Sequence, residues 1–296
     1  MHFAYSQTYI ADIGLHVFPI EKYRLVAEAL RRLHRIPNSA FVEPAPATPE
    51  QLLRVHSQRY LDDLDHCRWT PRTMQSELPL NSHIVRMFIL SCGGTIRAAE
   101  LAMEEGVAVH IGGGFHHAFA EKAEGFCYLN DLAVATREIQ SRGKVQRVMV
   151  IDCDLHQGNG TARIFQDDTS VFTFSMHQKE LYPVKEESDL DIHLENGVGD
   201  DQYLALMRSH IPRLLEEFKP QLILYQAGAD PFEDDQLGDL KLTIEGLEER
   251  DKLVFEWARG RDIPIAATLG GGYARNTADT VTIHVNTGLV AWNVQQ

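Results

Sequence analysis

The sequence predicts an α/β protein, a single domain with a central, mostly parallel sheet flanked by helices on both faces. Three observations lead there. From about residue 107 onward, short apolar runs alternate with segments of helical apolar spacing, the pattern of repeated strand, helix, strand units. The unusual residues, glycine triplets with histidines and aspartates, follow the ends of those runs, where an open parallel sheet binds its ligands. The chain of 296 residues, 44% hydrophobic and 24% charged, can bury a sizeable core and shows no repeat, low-complexity tract or linker that would divide it.

Taken in order, a first short strand lies near Phe3 to Tyr5, and IEKYRLVAEALRRLH follows with helical apolar spacing. After the Pro-rich connection VEPAPATPE, the piece PEQLLRVHSQRYLDDL reads as one or two helices. From Asn81 to Glu104 a long helix is expected, with Gly93 and Gly94 inside it where a neighbouring backbone can approach closely. Then come strand VAVHI, helix LNDLAVATREIQ, strand VQRVMVID, a short helix through TARIF and strand VFTFS. Helix DQYLALMRSHIPRLLEEF, strand QLILYQAG, helix LTIEGLEERDKLVFEWARG, strand IPIAATL and a last helix near TADTVTIHVNTGLVAW complete the series.

Composition excludes some roles. With 28 Lys plus Arg against 42 Asp plus Glu, the formal charge of -14 speaks against a general affinity for nucleic acid or anionic membranes. No stretch approaches the length of a membrane span, and the first residues do not read as a secretory signal, so a cytoplasmic location is expected. The four cysteines, Cys67, Cys92, Cys127 and Cys153, form no CxxC pair and are expected to be buried free thiols.

Four strand ends carry the chemistry. VAVHI runs into GGGFHHA, VMVI into DCDLHQGNG, LILYQ into AGADP and AATL into GGGYARN. Asp152, Asp154 and His156 alternate with period two, which places them on one face of a strand or of its continuation into a loop. Carboxylates so close repel each other unless a cation sits among them or a proton is shared. Asp154, His156 and Asp230 can supply two oxygens and an imidazole nitrogen to a divalent metal, leaving room for water and substrate; zinc suits these donors, as do ferrous iron and cobalt. Any one of these residues alone reads as a helix cap or a satisfied loop histidine, but the cluster and the second acidic strand end together favour the metal. His116 and His117, turned by a Gly-rich loop to one site, can act as base and acid beside it. The glycine triplets fail the spacing of phosphate-binding loops and instead permit close approach of backbone to a ligand, the second one delivering Tyr273 as a hydrogen-bond donor to an oxyanion.

The motifs GGGFHHA, GFCYLND, VIDCDLHQGNGTA, FSMHQ, QAGADP and LGGGYARN, in this order over nearly the whole chain, resemble the histone deacetylase superfamily and its arginase/deacetylase fold. The HQGNG ending, the short chain and the early GLHVFPIEKYRL segment look most like the class IV deacetylases and their bacterial relatives. The resemblance implies zinc on Asp154, His156 and Asp230, His117 as general base, His116 as its electrostatic partner, and Tyr273 polarising the scissile carbonyl. It also implies that Asp152 supports His116 and shares a structural potassium site with Ser175 and backbone carbonyls of Asp154, His156 and Met176. Gly125 and Phe126 match one wall of an acyl-lysine tunnel, Tyr182 the opposite wall, and Gly271 lies in the triplet that lets the ligand approach. Asn159 stands where many members have an aspartate on the second histidine; a neutral amide orients His117 and favours its neutral form.

The implied activity is zinc-dependent hydrolysis of acyl groups, acetyl or longer, from lysine ε-amines, with a class IV preference for long fatty acyl chains. Two rivals stand beside it: deacylation of a small amine such as an acetylpolyamine, and a non-catalytic acyl-lysine binding module, against which every catalytic position here holds a competent residue.

Overall fold

Buried apolar strands of four to eight residues dominate the second half of the chain, and their lack of a polar face dictates a sheet covered on both sides. In a computed structural model, which describes residues 1–295, eight strands form one sheet in the order β2-β1-β3-β8-β7-β4-β5-β6. Every neighbouring pair is parallel. The strands are β1 (His2–Ala4), β2 (Phe41–Val42), β3 (Val107–His110), β4 (Val148–Asp152), β5 (Val171–Gln178), β6 (Leu190–Leu194), β7 (Leu222–Gln226) and β8 (Ile265–Thr268).

Nine α-helices among the described residues cover it: α1 (Lys22–Arg32), α2 (Pro49–Leu53), α3 (Gln58–Asp65), α4 (Ser82–Glu105), α5 (Asp131–Ser141), α6 (Asn159–Phe165), α7 (Asp200–Phe218), α8 (Ile244–Arg259) and α9 (Thr277–Gln295). One layer has α4 lying on β1, β3 and β8 with α5 beside it; the other is the series α1, α9, α8, α7, with α9 against β3. PEQLLRVHSQRYLDDL is thus two helices, started by Thr48, whose capping box with Gln51 is complete, and by Ser57, whose hydroxyl accepts from the Tyr60 N–H.

Two strands were not anticipated from the sequence. β2 is only two residues long, and β6, LDIHL, is an edge strand whose first four residues keep contact with solvent, so neither carries the apolar run of a central strand. The expectation of four buried cysteines is corrected at Cys67, which is only partly buried in the turn after α3, while Cys92, Cys127 and Cys153 are buried and free.

The Gly93-Gly94 pair has a steric cause. A Cβ on Gly93 would stand 1.8 Å from the carbonyl oxygen of Ala45, because the Pro-rich connection crosses α4 backbone to backbone. Gly93→Ala is therefore expected to destabilise the protein by about 3 kcal/mol or more, read as a fall of several degrees in Tm; an unchanged Tm would mean that the connection does not press on α4.

The strand order brings the four chemistry-bearing ends together. β3, β8, β7 and β4 are consecutive at the centre of the sheet, so their carboxyl ends open on one crevice.

Candidate active site

The period-two acidic run works as a chain of turns. β4 ends at Asp152, whose Oδ1 accepts from the Asp154 N–H at 3.1 Å, and Asp154 Oδ1 accepts in turn from the His156 N–H at 3.0 Å. Each aspartate thus binds the backbone two residues on, which explains the spacing DCDLH beyond the strand end. Across the crevice, Asp230 follows β7 and its Oδ1 accepts from Leu155 N–H at 2.9 Å. The loop after β4 is in this way pinned to the loop after β7.

One donor atom from each of Asp154, His156 and Asp230 lies within 4.8 Å of the others, and all three residues are buried. His156 Nδ1 is 3.4 Å from Asp154 Oδ1 and 3.3 Å from Asp230 Oδ2. Burial lowers the His156 pKa, but its bonds to Asp154 and Asp230 outweigh that and hold it up to about 10. Burial, followed by the charge of Asp154, pushes Asp230 up to about 6. Burial also acts to raise Asp154, yet His116 and His156 draw it below the usual carboxylate range. A buried set that pulls this much positive charge toward itself fits a divalent cation, and two carboxylate oxygens plus an imidazole nitrogen are donors that zinc accepts.

The two histidines stand above this triad with different supports. His116 Nδ1 is 2.7 Å from Asp152 Oδ2, His117 Nδ1 is 2.8 Å from Asn159 Oδ1, and the two Nε2 atoms face each other at 3.1 Å. Burial disfavours the charged form of both. At His116 the charges of Asp152 and Asp154 overcome it and raise the pKa to about 9. At His117 burial, then the positive His116 and His156, drive it well below 6.5. Two imidazoles with pKa values pushed apart are suited to divided acid and base roles.

A channel of about 270 Å³ leads to the triad, lined by His117, Gly125, Phe126, His156, Tyr182 and Tyr273 among others. Phe126 and Tyr273 meet edge to face at 5.9 Å, and Tyr182, 43% exposed at the mouth, packs its ring 5.5 Å from His117 and 6.2 Å from His156. Burial, then Asp230 and Asp154, raise the Tyr273 phenol well above 10, so it stays protonated and able to donate. At the triad itself the space is about 20 Å³, lined by Asp154 and His156 together with His116, His117, Phe18 and Tyr23. Gly271 lies beneath, where a Cβ would come within 2.6 Å of both Asp154 and Asp230. Ser175 pairs with Asp152 across β4 and β5, its Oγ 2.8 Å from His177 Nδ1, and the buried Met176 follows it.

Several residues that hold the site were not singled out in the sequence, although Gln226, Asn130, Asp131 and Lys22 fall inside the motifs QAGADP, GFCYLND and GLHVFPIEKYRL. Gln226, at the end of β7, donates from Nε2 to the Gly114 carbonyl at 3.0 Å and accepts from Thr268 Oγ1 at 2.6 Å. A Cβ on Gly114 or Gly270 would come within 2.1 Å of this side chain, so one glycine from each triplet is needed to seat it. Asp131 accepts from the N–H groups of Gly114 and Phe115, and Asn130 Nδ2 donates to the carbonyls of His116 and Ala118. The Asn-Asp pair of GFCYLND thus fixes the histidine loop. Asp235 accepts from the Tyr273 N–H at 2.7 Å. Buried Lys22 donates from Nζ to the Gly271 carbonyl, its pKa lowered to about 8 by burial against the pull of Asp230, Asp154 and Asp235. Only the spacing of the capping Asn130 with α5 was readable locally; the other partners are far apart in the chain.

Fold and site define a class: a parallel α/β protein with a buried cluster of side chains that could hold a metal ion at the carboxyl edge of its sheet. Comparison with known proteins narrows this. The histone deacetylase domain family matches residues 16–289. The chain is 42% identical over 283 residues to an uncharacterised protein of Picosynechococcus sp., covering 95% of this chain and 94% of that protein. It is 34% identical over 292 residues to histone deacetylase 2 of Arabidopsis thaliana, covering 94% of this chain and 76% of the relative. Among solved structures, the HDA15 HD domain superposes with a TM-score of 0.83 over 99% of this chain and 91% of that one; at 21% identity this likeness shows the fold. The chain belongs to the histone deacetylase family. No helix among the described residues is long and apolar enough to cross a membrane.

Proposed function

We propose that the protein is a metal-dependent deacetylase of lysine ε-amines, similar to class IV, with zinc held by Asp154, His156 and Asp230. The observation that carries this is the unequal support of the two histidines, a carboxylate behind His116 and an amide behind His117, with their Nε2 atoms 3.1 Å apart in the pocket that Asp154 and His156 also line. A divalent cation there supplies a Lewis acid for the amide carbonyl and acidifies water. His117 Nε2 takes the proton of the attacking water and returns it to the departing amine. His116, held positive by Asp152, stabilises the negative charge that develops beside it. Tyr273 donates its phenolic proton in a hydrogen bond to the same oxyanion. Phe126 and Tyr182 enclose the aliphatic stem of the acylated lysine, whose amide is neutral and tolerates an apolar channel where a free ammonium would not. Asp152, Ser175 and the carbonyls of Asp154, His156 and Met176 are the groups that would hold a structural potassium ion, as the resemblance implies.

The acyl group is short. The space at the triad, about 20 Å³, is close to that of a single water, which supports acetyl over the long fatty chains that the class IV resemblance implies. In one peptide carrying acetyl-, octanoyl- or myristoyl-lysine, kcat/KM is expected to fall steadily with chain length; a rise with length would restore the long-chain reading. Glu77 lines the channel and suits a cationic flank, which a lysine peptide and an acetylpolyamine share. Assay of both separates them, and hydrolysis of the polyamine alone would overturn the protein substrate.

A further inference from the structure

Behind His117 Nδ1 a path of hydrogen bonds leads to a carboxylate outside the triad. Asn159, whose Oδ1 meets His117 Nδ1 at 2.8 Å, turns its Nδ2 to Glu124 Oε1 at 2.7 Å. The other Glu124 oxygen pairs with Lys122 Nζ. We propose that Glu124 is a positioning residue for His117, acting through Asn159 to fix which ring nitrogen carries the proton.

An amide alone does not determine the direction of such a chain. If Asn159 were turned over, it would offer N–H to His117 Nδ1, place the ring proton on Nε2 and leave no base facing the triad. Glu124 removes that choice. As a carboxylate in an ion pair it can only accept, so Asn159 must present Nδ2 to it and Oδ1 to the histidine; Nδ1 then donates and Nε2 keeps its lone pair. The Glu124 backbone is held to deliver this: its N–H donates to the Cys127 carbonyl at 3.1 Å, and its carbonyl accepts from the Cys127 N–H at 2.9 Å. Its side chain is only 12% exposed and Asn159 only 1%, so bulk water has little access to replace either partner. A negative charge one amide removed orients the imidazole without the direct ion pair that keeps His116 charged.

The inference rests on the reading of His117 as the base, and its test has a readout independent of turnover. In the full chain labelled with 15N-histidine, the His117 ring signals, identified by their loss in His117→Ala, are expected to report one tautomer with the proton on Nδ1. Glu124→Gln, which can donate as well as accept, and Glu124→Ala, which can do neither, are expected to add the Nε2-protonated form. Both should lower kcat by roughly tenfold to a hundredfold with KM and Tm little changed. In an Asn159→Ala background Glu124→Gln should cost nothing further. An unchanged tautomer in either folded variant, or an equal loss of kcat with and without Asn159, would overturn the proposal. A wild-type protein that shows the Nδ1 tautomer but hydrolyses no acyl-lysine would instead count against the deacetylase reading.

Discussion

Alanine in place of Asp154, His156 or Asp230 is expected to lower bound zinc and to cut deacetylation of an acetyl-lysine peptide by about a thousandfold or more. The three side chains are the only His, Cys, Asp and Glu group among the described residues that draws together in this way, so losing one leaves two protein donors where a catalytic zinc takes three. Lewis-acid stabilisation of several kcal/mol is at stake, and each 1.4 kcal/mol is a decade in rate. The aspartate variants should stay folded, because removing one carboxylate relieves the repulsion that, after burial, raises Asp230 to about 6. Metal content by mass spectrometry and Tm, measured on the same samples, check both halves. A folded variant with full zinc and normal turnover would remove its residue from the ligand set.

Tyr273→Phe should keep the metal and lower kcat by about a hundredfold, leaving KM nearly as it was, since a donor to an oxyanion acts chiefly in the transition state. The phenol stays protonated through the neutral range because burial, then Asp230 and Asp154, raise its pKa. Its backbone is fixed by Asp235 and its ring is stacked edge to face on Phe126, so the phenylalanine ring should occupy the same place. His117→Ala is expected to be at least as damaging, since no other unprotonated ring nitrogen faces the same point. Steady-state kinetics decide, and a kcat within about threefold of wild type would show that Tyr273 is not the donor.

The central strands and the helices between them were legible because their burial is total and leaves an apolar run in the sequence. β2 and β6 were not, since a two-residue strand and a polar edge strand leave no such run. In the site, Asp152, Asp154 and His156 announced themselves because consecutive side-chain turns impose a spacing of two. The roles of Gln226, Asp131, Asp235 and Lys22 were not legible, although the first two and the last stand in quoted motifs: each binds a backbone group on a loop distant in the chain, and a single polar residue at a strand or helix end carries no mark of its partner. Asn159 was noticed as an amide on His117, but the carboxylate behind it, Glu124, comes from a loop 35 residues earlier.

The central claim, that the Asp154, His156, Asp230 cluster holds the cation on which acyl-lysine hydrolysis depends, is tested most directly by adding zinc back to metal-stripped wild-type protein while following both bound metal and release of acetate from an acetyl-lysine peptide. Activity is expected to be absent at the start, to rise in proportion to bound zinc and to level off at one ion per chain. Full turnover by protein shown to be free of divalent and transition metals would contradict it.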